Sequence, residues 1–146
     1  MDSIDQKIIS ILQNNARTPL KVIAEKCFLS SPAVSARIER LEKEGIIMGY
    51  TTKINMGKLG YNITAFINLE MNPSQKAEFY PYIESCPNVL ECNCVTGAFS
   101  MLIKVIFAST TELDQFIEKL HKYGKTSTQI VFSTHTGPRD ILMGEV

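Results

Sequence analysis

An excess of one charge is the first thing this sequence lacks: 15 lysines and arginines balance 15 aspartates and glutamates. No global basic field draws the chain to nucleic acid, so any DNA binding must be local. Long apolar runs are also missing. Met101 to Ile103 is stopped by Lys104, and the first five residues carry two acids, so neither a membrane span nor a secretion signal is expected. Histidine is limited to His121 and His135. The spacings G-x-x-x-x-G-K, G-x-G-x-x-G, G-x-S-x-G, S-x-x-K and H-E-x-x-H do not occur. Phosphate loops, dinucleotide fingerprints, serine nucleophiles and zinc-protease helices therefore have no candidate, and no catalytic residue is assigned. His121 falls on the polar side of a helix and is read as a surface residue.

With 146 residues, 45% of them apolar, the chain can bury the core of one or two small domains but not of a large multidomain enzyme. Cys27, Cys86, Cys92 and Cys94, in a chain where no secretion signal is expected, read as reduced thiols rather than a disulfide framework, hence as pointing to the cytoplasm. Cys92 and Cys94 share a strand face. Structural zinc asks for four ligands in paired spacing, so the cysteines read as small buried hydrophobes and no metal or cofactor is expected.

Three short helices account for the first 50 residues. Ile4, Ile8, Ile11 and Leu12 recur at helical spacing, with Ser3 and Gln6 placed to form a capping box. Thr18 can cap a second helix that has Pro19 in its first position and Leu20, Ile23, Ala24 and Cys27 as its stripe, ending near Phe28. Ser30 or Ser31 can cap a third, with Pro32 in its first turn, Val34, Ile38 and Leu41 buried, and Gly45 closing it. The short connection between the last two is helix-turn-helix spacing. Ile46 to Ile54 changes period and reads as a strand leaving this unit, and Asn55 to Gly60 is the junction. The expected domains are residues 1–50, a hinge over 51–60, and 61–146.

Beyond the junction Ile63, Ala65, Ile67, Leu69 and Met71 alternate with polar neighbours, the pattern of a strand with one apolar face. Asn72-Pro73 opens a helix carrying Phe79 and Ile83, which Pro81 should kink or shorten. Val89 to Thr96 and Phe99 to Phe107 form a hairpin about Gly97-Ala98. Ser109 and Glu112 cap a last helix with the stripe Leu113, Phe116, Ile117 and Leu120; Gly124 ends it before a strand from Ser127 to Ser133. The order βαββαβ predicts a ferredoxin-like sandwich, giving an α+β chain with helix-turn-helix in front.

The segment Leu29 to Ile47 stands out. On the third helix Ala33, Ala36, Arg37, Arg40 and Lys43 gather on one flank, small enough to enter a major groove and basic enough to meet guanine or phosphate. The stretches Ile4 to Arg17, Leu29 to Thr51 and Cys94 to Val105 together make the chain resemble the Lrp/AsnC family of leucine-responsive, or feast/famine, transcriptional regulators.

That resemblance implies an amino-terminal winged helix-turn-helix and a carboxy-terminal ferredoxin-like domain that binds an amino acid or related metabolite. It also implies a homodimer formed through the sheets, with tetramers or octamers built from it, and double-stranded DNA as partner. Carried over by position, the recognition helix is Ser31 to Glu44. Ser30, Ser31, Ala33, Ser35, Arg37 and Arg40 are its DNA-facing candidates, Arg37 first. The effector candidates are Gly97, Ala98, Ser100, Thr126 and Thr128. Ala98 and Ser100 stand where the family has acidic residues, so a carboxylate for an α-ammonium is missing. Phe28 stands where relatives have a turn glycine, and the turn is expected to differ in backbone geometry because a bulky residue tolerates positive φ poorly. Two alternatives remain open: an enzyme similar to tetrapyrrole decarboxylases on the same scaffold, and an architectural DNA-wrapping protein indifferent to effectors.

Overall fold

The computed structural model describes residues 1–141. They fall into two compact units: Met1–Lys53 together with residues 137–141, and Ile54–Thr136. The second domain expected from the sequence thus begins at Ile54 and loses its tail to the first.

The first unit holds α1 (Ser3–Asn14), α2 (Leu20–Cys27) and α3 (Ser31–Lys43) around Ile8, Ile23, Ala24, Cys27 and Val34. Their caps differ from expectation at two of three starts. Asp2, in extended backbone, caps α1 and shares a capping box with Asp5, because Ser3 already lies inside the helix. Pro19 precedes α2 with no side-chain cap, and the Thr18 hydroxyl instead donates to the Asn15 carbonyl at 2.7 Å. Ser30 does cap α3, accepting the Ala33 N–H at 3.4 Å. The β-branched run after α3 is not a strand: residues 46–55 have no ladder partner among the described residues. β-propensity alone does not make a strand without a neighbouring edge to pair with.

In the second unit β1 (Ile63–Met71), α4 (Lys76–Ser85), β2 (Val89–Cys94), β3 (Met101–Phe107), α5 (Thr110–Leu120) and β4 (Gly124–Ile130) follow the expected order. The sheet order is β2-β3-β1-β4, with every neighbouring pair antiparallel. This is the ferredoxin-like arrangement. One face carries Ala65, Ile67 and Leu69 of β1 beside Met101, Ile103 and Val105 of β3, all buried under Phe79 and Ile83 of α4 and Leu113, Phe116 and Leu120 of α5. The helix α4 runs through Pro81 rather than ending there. Phe79 and Ile83 are buried on either side of it, and their burial outweighs the roughly 3 kcal/mol that an internal proline costs a helix.

Cys94 lies opposite Met101, and this register carried forward sets Gly97-Ala98 at the hairpin tip, although the regular ladder stops short of it. Val95 N–H to the Ser100 carbonyl, 2.9 Å, is the next rung. Gly124 is the first residue of β4 rather than the end of the preceding helix, so that strand runs 124–130 and not 127–133.

Candidate nucleic-acid interface

Val34 and Leu41 fix the buried side of α3. At about 100° per residue the opposite side belongs to Pro32, Ala36, Glu39 and Lys43, and all four are exposed. Ser30 and Arg40 are also exposed, while Ser31, Ala33 and Ser35 are half-buried and Ser35 Oγ donates to Glu39 at 3.1 Å. Ala36 and Lys43 belong to the flank expected from the sequence, and Pro32 and Glu39 complete the outward row.

Arg37 does not stand out over solvent. Its Nη1 lies 2.7 Å from Asp2 Oδ2 and 2.7 Å from Asp5 Oδ1, and Arg40 Nη2 lies 2.6 Å from Asp5 Oδ2. The two arginines, one turn apart on α3, therefore clamp the first turn of α1. Asp5 is fully buried. It accepts both arginines and the Asp2 N–H at 2.9 Å, while Asp2 Oδ1 accepts the Asp5 N–H at 2.8 Å. The first-choice DNA-facing candidate thus holds α3 against α1. The signal was Asp2-x-x-Asp5 facing Arg37-x-x-Arg40, two pairs at one-turn spacing.

The clamp sets the local electrostatics. The Asp5 N–H, seconded by the Arg37 hydrogen bond, lowers the Asp2 carboxyl from 3.8 to about 2. Burial pushes the Asp5 carboxyl up, but the Asp2 N–H, Arg37 and Arg40 together outweigh it and hold it below its ordinary value. Both groups are depressed in the folded state. Their contribution to stability is complete above the unfolded carboxylate range and disappears as pH falls through about 4 toward 2. Urea denaturation of the full chain, followed by far-ultraviolet circular dichroism, should show this acid loss. The Asp2→Asn/Asp5→Asn double variant should be less stable at neutral pH and flatter below pH 4; an unchanged acid limb would sever the clamp from the pH response.

Phe28, at the turn between α2 and α3, corrects the expected change of geometry. It adopts φ 55° and ψ 42°, the left-handed conformation itself, with its N–H bonded to the Ala24 and Glu25 carbonyls.

The effector candidates do not form one cluster. Thr126 and Thr128 lie opposite Leu69 and Ile67, on the helix-covered side at the edge strand, and Thr126 Oγ1 is 3.2 Å from His121 Nε2. Ser100 Oγ accepts the Met71 N–H at 2.9 Å and donates to the Leu69 carbonyl at 3.2 Å, so its hydroxyl ties β3 to β1. Gly97 and Ala98 are exposed at the hairpin tip. A cavity of about 560 Å³ in this unit is lined by other residues, including Tyr61, Tyr82, Cys86, Glu112 and Lys119. Cys27 is buried, Cys86 and Cys92 are half-buried, and Cys94 is exposed, so the small-hydrophobe reading fails for Cys94. No described helix is long and apolar enough to cross a membrane.

A helix-turn-helix with a positioned third helix, coupled in one chain to a ferredoxin-like domain, defines a DNA-binding regulator with a separate sensory domain. Residues 1–48 match the winged helix-turn-helix DNA-binding family, and residues 64–140 match the Lrp/AsnC ligand binding domain. The chain is 35% identical over 134 residues to the uncharacterized HTH-type transcriptional regulator YezC of Bacillus subtilis, covering 92% of this chain and 95% of that one. It is 32% identical over 138 residues to the HTH-type transcriptional regulator FL11 of Pyrococcus furiosus, covering 92% and 91%. The solved structure of B. subtilis LrpC superposes with a TM-score of 0.88 at 30% identity, over 94% of this chain and 99% of that chain. The protein belongs to the Lrp/AsnC family of transcriptional regulators. These relatives are named as transcriptional regulators, which favours regulation over the decarboxylase alternative.

Proposed function

We propose that this chain works in the cytoplasm as a homodimer that reads double-stranded DNA with paired α3 helices and responds to an amino acid or related metabolite through its second unit. The Arg37–Asp5–Arg40 clamp carries the dimer argument. Residues 1–50 hold seven basic and six acidic side chains. With Arg37 and Arg40 engaged by Asp2 and Asp5, the exposed cations left to meet phosphate in that stretch are Lys7, Arg17, Lys21, Lys26 and Lys43. Affinity for duplex depends on how many phosphates are neutralised, so one unit binds weakly and two, on half-sites about 34 Å apart, bind usefully. Ser30, Ser31, Ala33 and Ser35 line the entry of α3, and Pro32, Ala36, Glu39 and Lys43 form its outward row. Gly97, Ala98, Ser100, Thr126 and Thr128 remain the proposed effector positions, with Ser100 acting through the β1–β3 tie.

A second reading, architectural DNA wrapping without effector control, is favoured by one observation: Ser100 is engaged with β1, and no carboxylate stands at position 98. Selection of genomic fragments by the purified protein, with and without a pool of amino acids, decides between them. Enrichment of two-fold half-sites about one turn apart, altered by the pool, supports regulation; sequence-indifferent recovery supports wrapping and overturns our reading. On a recovered duplex, Lys43→Ala should weaken binding and reduce the slope of log affinity against log salt by about one. An unchanged slope would remove Lys43 from the phosphate contacts.

A further inference from the structure

Phe28 is the one non-glycine residue with positive φ among the described residues, and its side chain is 91% exposed. Both features work against the fold. A bulky L-residue is strained in left-handed backbone, and an exposed phenyl ring forgoes burial. The turn needs that backbone, because the Phe28 N–H closes α2 on Ala24 and Glu25, but it does not need that ring: glycine supplies the same conformation without strain. The ring makes no contribution to the core around Ile8 and Ile23. A strained, solvent-facing aromatic therefore points to something outside the folded chain.

Its surroundings identify the chemistry. Lys7 Nζ sits 5.7 Å from the ring centroid. Lys26, exposed, lies in the last turn of α2, and α3 begins at Ser31 directly after the Ser30 cap. An apolar disc with one cation over it and a second in the helix turn that leads into it, directly before α3, complements a surface that alternates apolar and anionic groups. The sugar–phosphate backbone of DNA is such a surface. We propose that Phe28 is a DNA contact: its ring packs on a deoxyribose at the edge of the groove that α3 enters, while Lys7 and Lys26 face the flanking phosphates. The proposal rests on the DNA-binding reading above and adds the turn to the interface.

The test uses the full chain, a duplex recovered by selection with the parent protein, and the same duplex with uracil in place of thymine. Phe28→Gly, and Phe28→Asn as a second residue that tolerates this backbone, should each weaken binding by about tenfold, from the loss of one buried ring. Their melting temperatures should stay level or rise, and their salt slopes should match the parent's. Lys7→Ala and Lys26→Ala should each lower the slope by about one. The parent should bind the uracil duplex as it binds thymine. Parental affinity in both Phe28 variants overturns the proposal. A uracil duplex that reproduces their loss assigns the ring to a thymine methyl instead of the sugar and overturns it too. A change in oligomeric state with unchanged DNA affinity gives the ring to a second copy of the chain, again overturning it. If the parent binds no duplex at all, the DNA-binding reading itself falls, a result separable from failure of Phe28 alone.

Discussion

Gly124→Ala is expected to detach β4 and cost the second unit about 4 kcal/mol or more, a large part of the stability of a small domain. A Cβ built on Gly124 lies 2.0 Å from the Glu70 carbonyl oxygen and 2.9 Å from its carbon, with the Met71 Cα at 3.2 Å. These are backbone atoms of the neighbouring strand, paired with β4 from Ala65–Ile130 to Met71–Gly124, so they cannot turn aside as a side chain would. Relief requires that β1 and β4 separate at this end. The backbone there, at φ +155°, adds strain of its own. Gly45→Ala is the control: its φ is +71° but nothing lies within 4 Å of the added carbon, so about 1 kcal/mol is expected. Hydrogen exchange on the full chain measures both, and Gly124→Ala should expose the amides that bridge β1 and β4. Protection at the parental level in those amides would refute the close approach.

Asp5→Ala is the second large effect, with a loss of about 2–3 kcal/mol from the first unit. The substitution removes a fully buried carboxylate that accepts two charge-assisted bonds, one from each arginine, and completes the capping box of α1. The figure stays below that of a fully enclosed ion pair because Arg37 and Arg40 retain 25% and 46% side-chain exposure and can turn to water. Ser3→Ala should be nearly silent, since Asp2 is the cap. Denaturant titration, with hydrogen exchange reporting α1 and α3 separately, distinguishes the two. Near-parental protection in Asp5→Ala would show the clamp to be without energetic weight. Arg37→Ala should also loosen α3, so a loss of DNA affinity in that variant does not by itself make Arg37 a DNA contact; stability has to be read alongside.

Much of the fold was written in local pattern. The stripe Ile63, Ala65, Ile67, Leu69 announced β1 and its buried face, and Leu113, Phe116 and Leu120 announced α5, because burial on one side imposes a period the sequence must keep. The helix-turn-helix followed from three such stripes with short connections. The misses share a cause. Ile46 to Ile54 has strand composition but no partner strand among the described residues, and Pro81 has helix-breaking chemistry but sits between two residues the core holds fast. Composition describes what a segment favours; the neighbours decide whether it is realised.

The site divides in the same way. Periodicity along one stretch determined that α3 is a helix with its Val34 side buried, and three stretches together carried the resemblance to the Lrp/AsnC family. Which basic side chains of α3 are engaged within the chain was decided only when α1 came to lie beside α3. Arg37 and Arg40 are separated from Asp2 and Asp5 by more than 30 positions along the chain, yet a charge's partner is set by distance in space. Packing brought those four groups within hydrogen-bonding reach, and with that gave the foremost DNA-facing candidate a fastening role between α1 and α3.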